Sequence, residues 1–136
     1  MEVEYTSGME LAVKVIFGED FGLPVRLLNA TTEDTKEIEE LASAIELIQE
    51  YNSFRGREVA DALRELHREN LISSARFGRE RSPVLYVSIP FHNEERRPLT
   101  VQERTAMLRR ILEILEVTNP TELGPVLDEE VRAWWD

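Results

Sequence analysis

Residues 56–90 read "GREVADALRELHRENLISSARFGRERSPVLYVSIP", and how this stretch folds decides the architecture of the chain. Val59, Ala62, Leu63 and Leu66 recur at spacings of three and four, which predicts a helix from Arg57 to about Asn70 with those side chains inward. Two apolar runs follow, roughly Leu71 to Phe77 and Val84 to Ile89, separated by Gly78, Arg79, Glu80, Arg81, Ser82 and Pro83. That is the pattern of a β-hairpin with a basic tip. On a helical wheel Arg57, Arg64 and Arg68 fall within about 40° of one another, opposite the apolar stripe. The hairpin adds Arg76, Arg79 and Arg81.

Outward toward the N-terminus, Leu11, Val13, Val15 and Phe17 alternate with Lys14, the period of a half-buried strand over Met9 to Phe17. A turn from Gly18 to Gly22 and a second short strand, "PVRLLN" from Pro24, complete an expected N-terminal hairpin. Thr31 and Thr32 offer an N-cap, and Ile38, Leu41, Ile45 and Ile48, widened by Ala44, Leu47, Tyr51 and Phe54, predict a helix of about five turns. Toward the C-terminus, Thr100 and Glu103 match a capping box, so a helix is expected from Val101 to about Val117, with Leu108, Ile111, Leu112 and Leu115 inward, stopped by Asn119 and Pro120. Leu127, Val131, Trp134 and Trp135 then suggest a short last helix. The chain reads as α+β and as one domain over residues 1–136: an N-terminal β-hairpin, two helices, a second hairpin, and two C-terminal helices.

A chain of 136 residues, 42% of them hydrophobic, is long enough to bury a core without a covalent staple. With no cysteine, disulfides, thiolate metal sites and cysteine nucleophiles drop out. No apolar run reaches membrane-span length and the N-terminus is acidic, so no membrane partner and a cytoplasmic location are expected. His67 and His92 lie outside any paired metal-binding spacing, and no GxSxG, GxxxxGK[ST] or GxGxxG motif occurs, so the expectation is a non-enzymatic protein without metal or cofactor. The formal net charge is -11, yet residues 55–81 hold seven arginines against five acids. The positive charge is local.

The helix over Arg57–Asn70, its ALxxLxxxxLI pattern, the arginine-and-glycine tip and the tyrosine-bearing return strand together resemble the last helix and wing of winged helix-turn-helix DNA-binding proteins. The resemblance covers residues 56–90, or 35–90 if the preceding helix and the turn at Phe54, Arg55 and Gly56 belong to it. Where that family has two short helices before the last, this chain has one long helix, and residues 100 to 117 would supply the other. The resemblance implies that Arg57, Arg64 and Arg68 face the major groove of duplex DNA and that Arg76, Arg79 and Arg81 are wing contacts. It also suggests a homodimeric regulator, with Leu127, Val131, Trp134 and Trp135 as the oligomer or partner interface, although packing of the tryptophans on their own domain is the better single expectation.

A second reading rests on the same residues. Asp61 sits within the arginine stripe, and Glu58, Glu65 and Glu69 run beside it, as on a solvated, ion-paired helix face. The chain is then an α+β protein-interaction or oligomerisation module with a protein partner and no nucleic acid. Burial of the arginines against glutamates of the first or third helix favours this reading; a positive face continuous from helix to hairpin favours DNA.

Overall fold

The structure, a computed structural model, describes residues 26–32, 35–48, 50–51, 53–93, 95–127 and 129–136. In chain order they form β1 (Arg26–Thr31), α1 (Thr35–Leu47), β2 (Glu50–Tyr51), β3 (Phe54–Arg55), α2 (Gly56–Arg68), β4 (Ser74–Glu80), β5 (Ser82–Ser88), α3 (Val101–Glu116), β6 (Glu122–Val126) and β7 (Glu130–Trp134). The strands β1-β4-β5-β7-β6 make one antiparallel sheet, and β2 and β3 form a small ribbon. The expected strand over Met9–Phe17 lies outside the described residues. Its expected partner is β1, which pairs with β4 from Arg26↔Arg79 to Thr31↔Ser74.

Side-chain alternation sorts the sheet into two faces. Ala30, Ala75, Phe77, Leu85, Val87, Val131 and Ala133 point to one face and enter the core cluster. All three helices bring their buried side chains to that face. α1 lies against β1 and β4, α3 against β6 and β7, and α2 packs on both helices. The α2 stripe is as expected: Val59, Ala60, Ala62, Leu63 and Leu66 are buried. Burial of each large apolar side chain contributes roughly 1.5–3 kcal/mol, so this shared cluster is what positions the three helices.

Three expectations are corrected. The first helix stops at Leu47 rather than continuing through Tyr51 and Phe54. The chain instead reverses through β2 and β3, and Ser53 donates from both its backbone N–H and its hydroxyl to the Asp136 carbonyl rather than into a helix. Phe54 still reaches the core, stacking on Phe77 at 5.8 Å and meeting Trp135 edge-on at 5.2 Å.

The tip of the second hairpin is shorter than expected. Ladder pairing runs through Gly78↔Val84, Arg79↔Pro83 and Glu80↔Ser82, leaving Arg81 alone at the turn with φ 68°. Both strands are interior, β4 flanked by β1 and β5 by β7.

The last helix does not form. Glu122–Val126 and Glu130–Trp134 instead pair as the antiparallel strands β6 and β7, and Val131, Ala133 and Trp135 alternate with Arg132 and Trp134 and are buried at 0% exposure. A free β5 edge on a nearly complete sheet offers β7 five cross-strand pairs, which a lone terminal helix could not match. Pro125 fits the outer strand, where a missing N–H costs no ladder bond.

The third helix is as expected at its start. The Thr100 hydroxyl accepts from the Glu103 N–H at 3.1 Å and the Glu103 carboxylate accepts from the Thr100 N–H at 3.2 Å. Ile111, Ile114 and Leu115 are buried, with Leu108 and Leu112 packed partly against the core. Asn119, at φ 55°, follows the helix end in the left-handed region that asparagine tolerates. No helix of the described residues is long and apolar enough to cross a membrane.

Candidate functional site

The arginine stripe of α2 faces away from the sheet, and only Arg64 of its three residues reaches the neighbouring helix. Arg64, at the stripe's centre, donates through Nε to both carboxylate oxygens of Glu39 at 3.1 Å, and through Nη1 to Glu46 and to Asp61, the latter at 3.2 Å. Glu39 and Glu46 belong to α1, so one guanidinium ties two helices. These hydrogen bonds, Glu39's first and Glu46's second, raise the Arg64 pKa above its already high ordinary value and keep it charged at any working pH. Arg68 pairs with Glu65 one turn back on its own helix. Arg57 is exposed and enters no ion pair among the described residues.

The other flank of α2 is tied to α3. Arg110 Nε and Nη2 donate to the two oxygens of Glu69 at 2.9 and 2.8 Å, a two-pronged carboxylate clamp. The Arg110 hydrogen bond holds the Glu69 carboxyl below its usual range.

On the hairpin, Arg76 rises from the sheet face opposite the helices. It forms an ion pair with Glu130 of β7 at 2.7 Å and lies 4.6 Å from the ring centroid of Tyr86, its cross-strand neighbour. Tyr86 is next to Arg132 in the ladder, so the row Arg76–Tyr86–Arg132 crosses three strands. Arg132 donates to Glu80 at 2.8 Å through Nη2 and to the Tyr86 hydroxyl at 3.2 Å through Nε, while that hydroxyl donates to Glu80. Trp134 closes the cluster, its indole N–H donating to the Glu80 carbonyl at 2.9 Å with Arg132 above its ring. Arg79 Nε donates to the Arg81 carbonyl at 2.9 Å across the turn, and Arg81 is exposed at the tip.

Burial pushes the Tyr86 hydroxyl above the ordinary tyrosine value, Glu80 adds to the shift and Arg132 opposes it. The folded state therefore holds this proton more tightly than the unfolded chain. Its contribution to stability is full below the ordinary value near pH 10 and is lost as pH rises through the folded value. Tyr86→Phe is expected to flatten the decline of the urea midpoint as the pH rises above about 10. A variant and a parent that decline in parallel would show that Tyr86 does not drive the alkaline loss.

The expected interface residues divide. Val131 and Trp135 are fully buried in the chain's own core, and the Trp135 indole donates to the Thr118 carbonyl at 3.0 Å, so neither offers a surface to a partner. Trp134 is half-buried on the outer sheet face, and Leu127 is 87% exposed at the β6–β7 turn. Glu80, Tyr86, Glu130 and Arg132 were not singled out from sequence. The alternation Glu130–Arg132–Trp134 was the available signal once that segment is read as a strand. Among the described residues no group of three His, Asp or Glu side chains is gathered as metal ligands would be.

Two depressions stand out. One, of about 380 Å³, is lined by residues that include Asn70, Ile72, His92, Leu99 and Met107 beside the start of α3. The other, of about 520 Å³, lies on the outer sheet face at the end away from Arg81. Comparison of the chain with protein-family models, curated proteins and solved structures finds no match.

Proposed function

We propose that this chain is a non-enzymatic α+β protein-interaction module in which Arg64 of α2 and Arg76 of the β4–β5 hairpin tie neighbouring elements of the protein's own fold to one another. The observation that carries the reading is Arg64, bonded at once to Glu39 and Glu46 of the neighbouring helix. A groove-reading role in duplex DNA requires Arg64, Arg68 and Arg76 to exchange carboxylate partners for phosphate, while Glu39, Glu46, Asp61 and Glu65 stay on the same face and repel it. The pairing of both hairpin strands on both sides also supports the reading, since little of the hairpin beyond Arg81 projects as a separate arm. A homodimer is one form of the same function, with Leu127 and Trp134 rather than Val131 and Trp135 available to it.

Fluorescence anisotropy of a labelled mixed-sequence duplex, measured across a salt series, tests the proposal. No binding is expected even at the lowest salt that keeps the protein folded. Binding whose logarithm falls linearly with log salt, at about -0.9 per phosphate contacted, and less steeply after Arg76, Arg79 and Arg81 are changed to alanine, would return the assignment to DNA.

A further inference from the structure

The larger depression has a simple origin in the sheet. On the outer face the ladder places Ser74, Ser88, Glu130 and Val126 side by side across four strands. The two serines are small, whereas the next row carries Arg76, Tyr86 and Arg132, and the chain beyond the strands carries Phe91 and Leu127. A trough of about 520 Å³ results, within the range that receives a few side chains.

Its floor is polar, and part of it is hydrogen-bonded internally. Ser73 Oγ donates to the Ser88 and Ile89 carbonyls, and Ser88 Oγ donates to Glu130. Its rim is apolar and open to solvent: Phe91 is 67% exposed, Leu127 87% and Val126 36%. Leu127 sits at φ 59°, a conformation that costs a leucine energy, in the turn that presents it.

The charge at this rim is negative. Glu129 enters no ion pair among the described residues, Glu130 shares its carboxylate with Arg76, and in sequence Leu127 is followed by three acids, 128–130, in a chain of net charge -11. An apolar wall beside an uncompensated carboxylate is complementary to an apolar side chain beside a cation. We propose that this trough docks a short segment of a partner protein in which a bulky apolar side chain stands next to a lysine or arginine. The inference rests on the interaction-module reading and names the surface and partner chemistry for it.

The test uses the full chain and a fluorescein-labelled octapeptide in which two leucines alternate with two arginines between glycine and serine ends. Companion peptides carry glutamate for arginine, or serine for leucine. The arginine–leucine peptide is expected to bind best. Phe91→Ser with Leu127→Ser should weaken it by roughly tenfold or more, and both side chains are exposed enough that the melting temperature should hold. Glu129→Arg should shift preference toward the glutamate peptide, which a merely sticky surface would not do. Equal binding by parent and double variant, no preference between arginine and glutamate peptides, or no binding at all would overturn the trough. Those failures leave the module reading standing if duplex DNA also fails to bind, whereas salt-dependent DNA binding would remove the reading itself.

Discussion

Replacing Trp135 with alanine is expected to lower the unfolding free energy by about 3–5 kcal/mol, a large share of the roughly 5–15 kcal/mol that holds a domain of this kind together. Trp135 is 0% exposed one residue beyond β7 and one before the end of the chain. Its ring meets Phe54 edge-on at 5.2 Å, and Phe54 in turn stacks on Phe77 of β4. This aromatic trio joins the C-terminus, the ribbon before α2 and the centre of the sheet. The polar end of the indole is anchored as well, donating to the Thr118 carbonyl, while the Trp135 backbone N–H donates to the Pro83 carbonyl.

Alanine would leave a cavity bounded by three elements and an orphaned carbonyl just after α3, and both effects act in the same direction. Urea unfolding followed by circular dichroism measures the change. A loss below about 1 kcal/mol would mean that the C-terminal residues are an appendage to the core rather than part of it.

That tryptophan also shows where the sequence is ambiguous. Leu127, Val131, Trp134 and Trp135 fit helical spacing, yet Val131, Ala133 and Trp135 fit a strand equally well, and a segment this short cannot decide by period alone. The choice is made by the vacant β5 edge, a long-range feature with no local signal. By contrast, α2 and α3 were legible because each declares itself locally, through the Val59–Leu66 stripe and the Thr100–Glu103 capping box. The overrun of α1 has the same cause as the error at the C-terminus. Phe54 suits the helical stripe, but the chain reverses before it and delivers the ring to the core from a different element.

Legibility of the candidate site was similar in kind. The arginines of α2 and the hairpin are visible in sequence as a basic concentration, and Asp61, Glu65 and Glu69 are visible beside them. The partners that matter most are remote: Glu39 and Glu46 on α1 for Arg64, Glu130 on β7 for Arg76, and Arg110 on α3 for Glu69. Counting charges along the chain cannot reveal pairs that only helix packing and strand register create. The trough was hidden for the same reason, because Phe91 and Leu127 lie 36 residues apart in sequence and meet only around the Ser74–Ser88 row.

Reversing the charge at Arg64 tests most directly whether these arginines belong to the fold. Arg64→Glu removes three ion pairs and sets a new carboxylate against Glu39, Glu46 and Asp61. At a few tenths of a kcal/mol for each attraction lost and each repulsion gained, the expected cost is about 2 kcal/mol. Adding Glu39→Arg and Glu46→Arg in the same chain should restore most of it, because the pairing between α1 and α2 is then rebuilt with opposite signs. The measurement is the urea midpoint of the parent, the single variant and the swapped triple variant, taken at low salt and again at high salt. The account predicts a clear drop, recovery on swapping, and a smaller difference at high salt. An Arg64→Glu protein as stable as the parent, with no gain on swapping, would contradict it and leave Arg64 a surface cation available to a ligand.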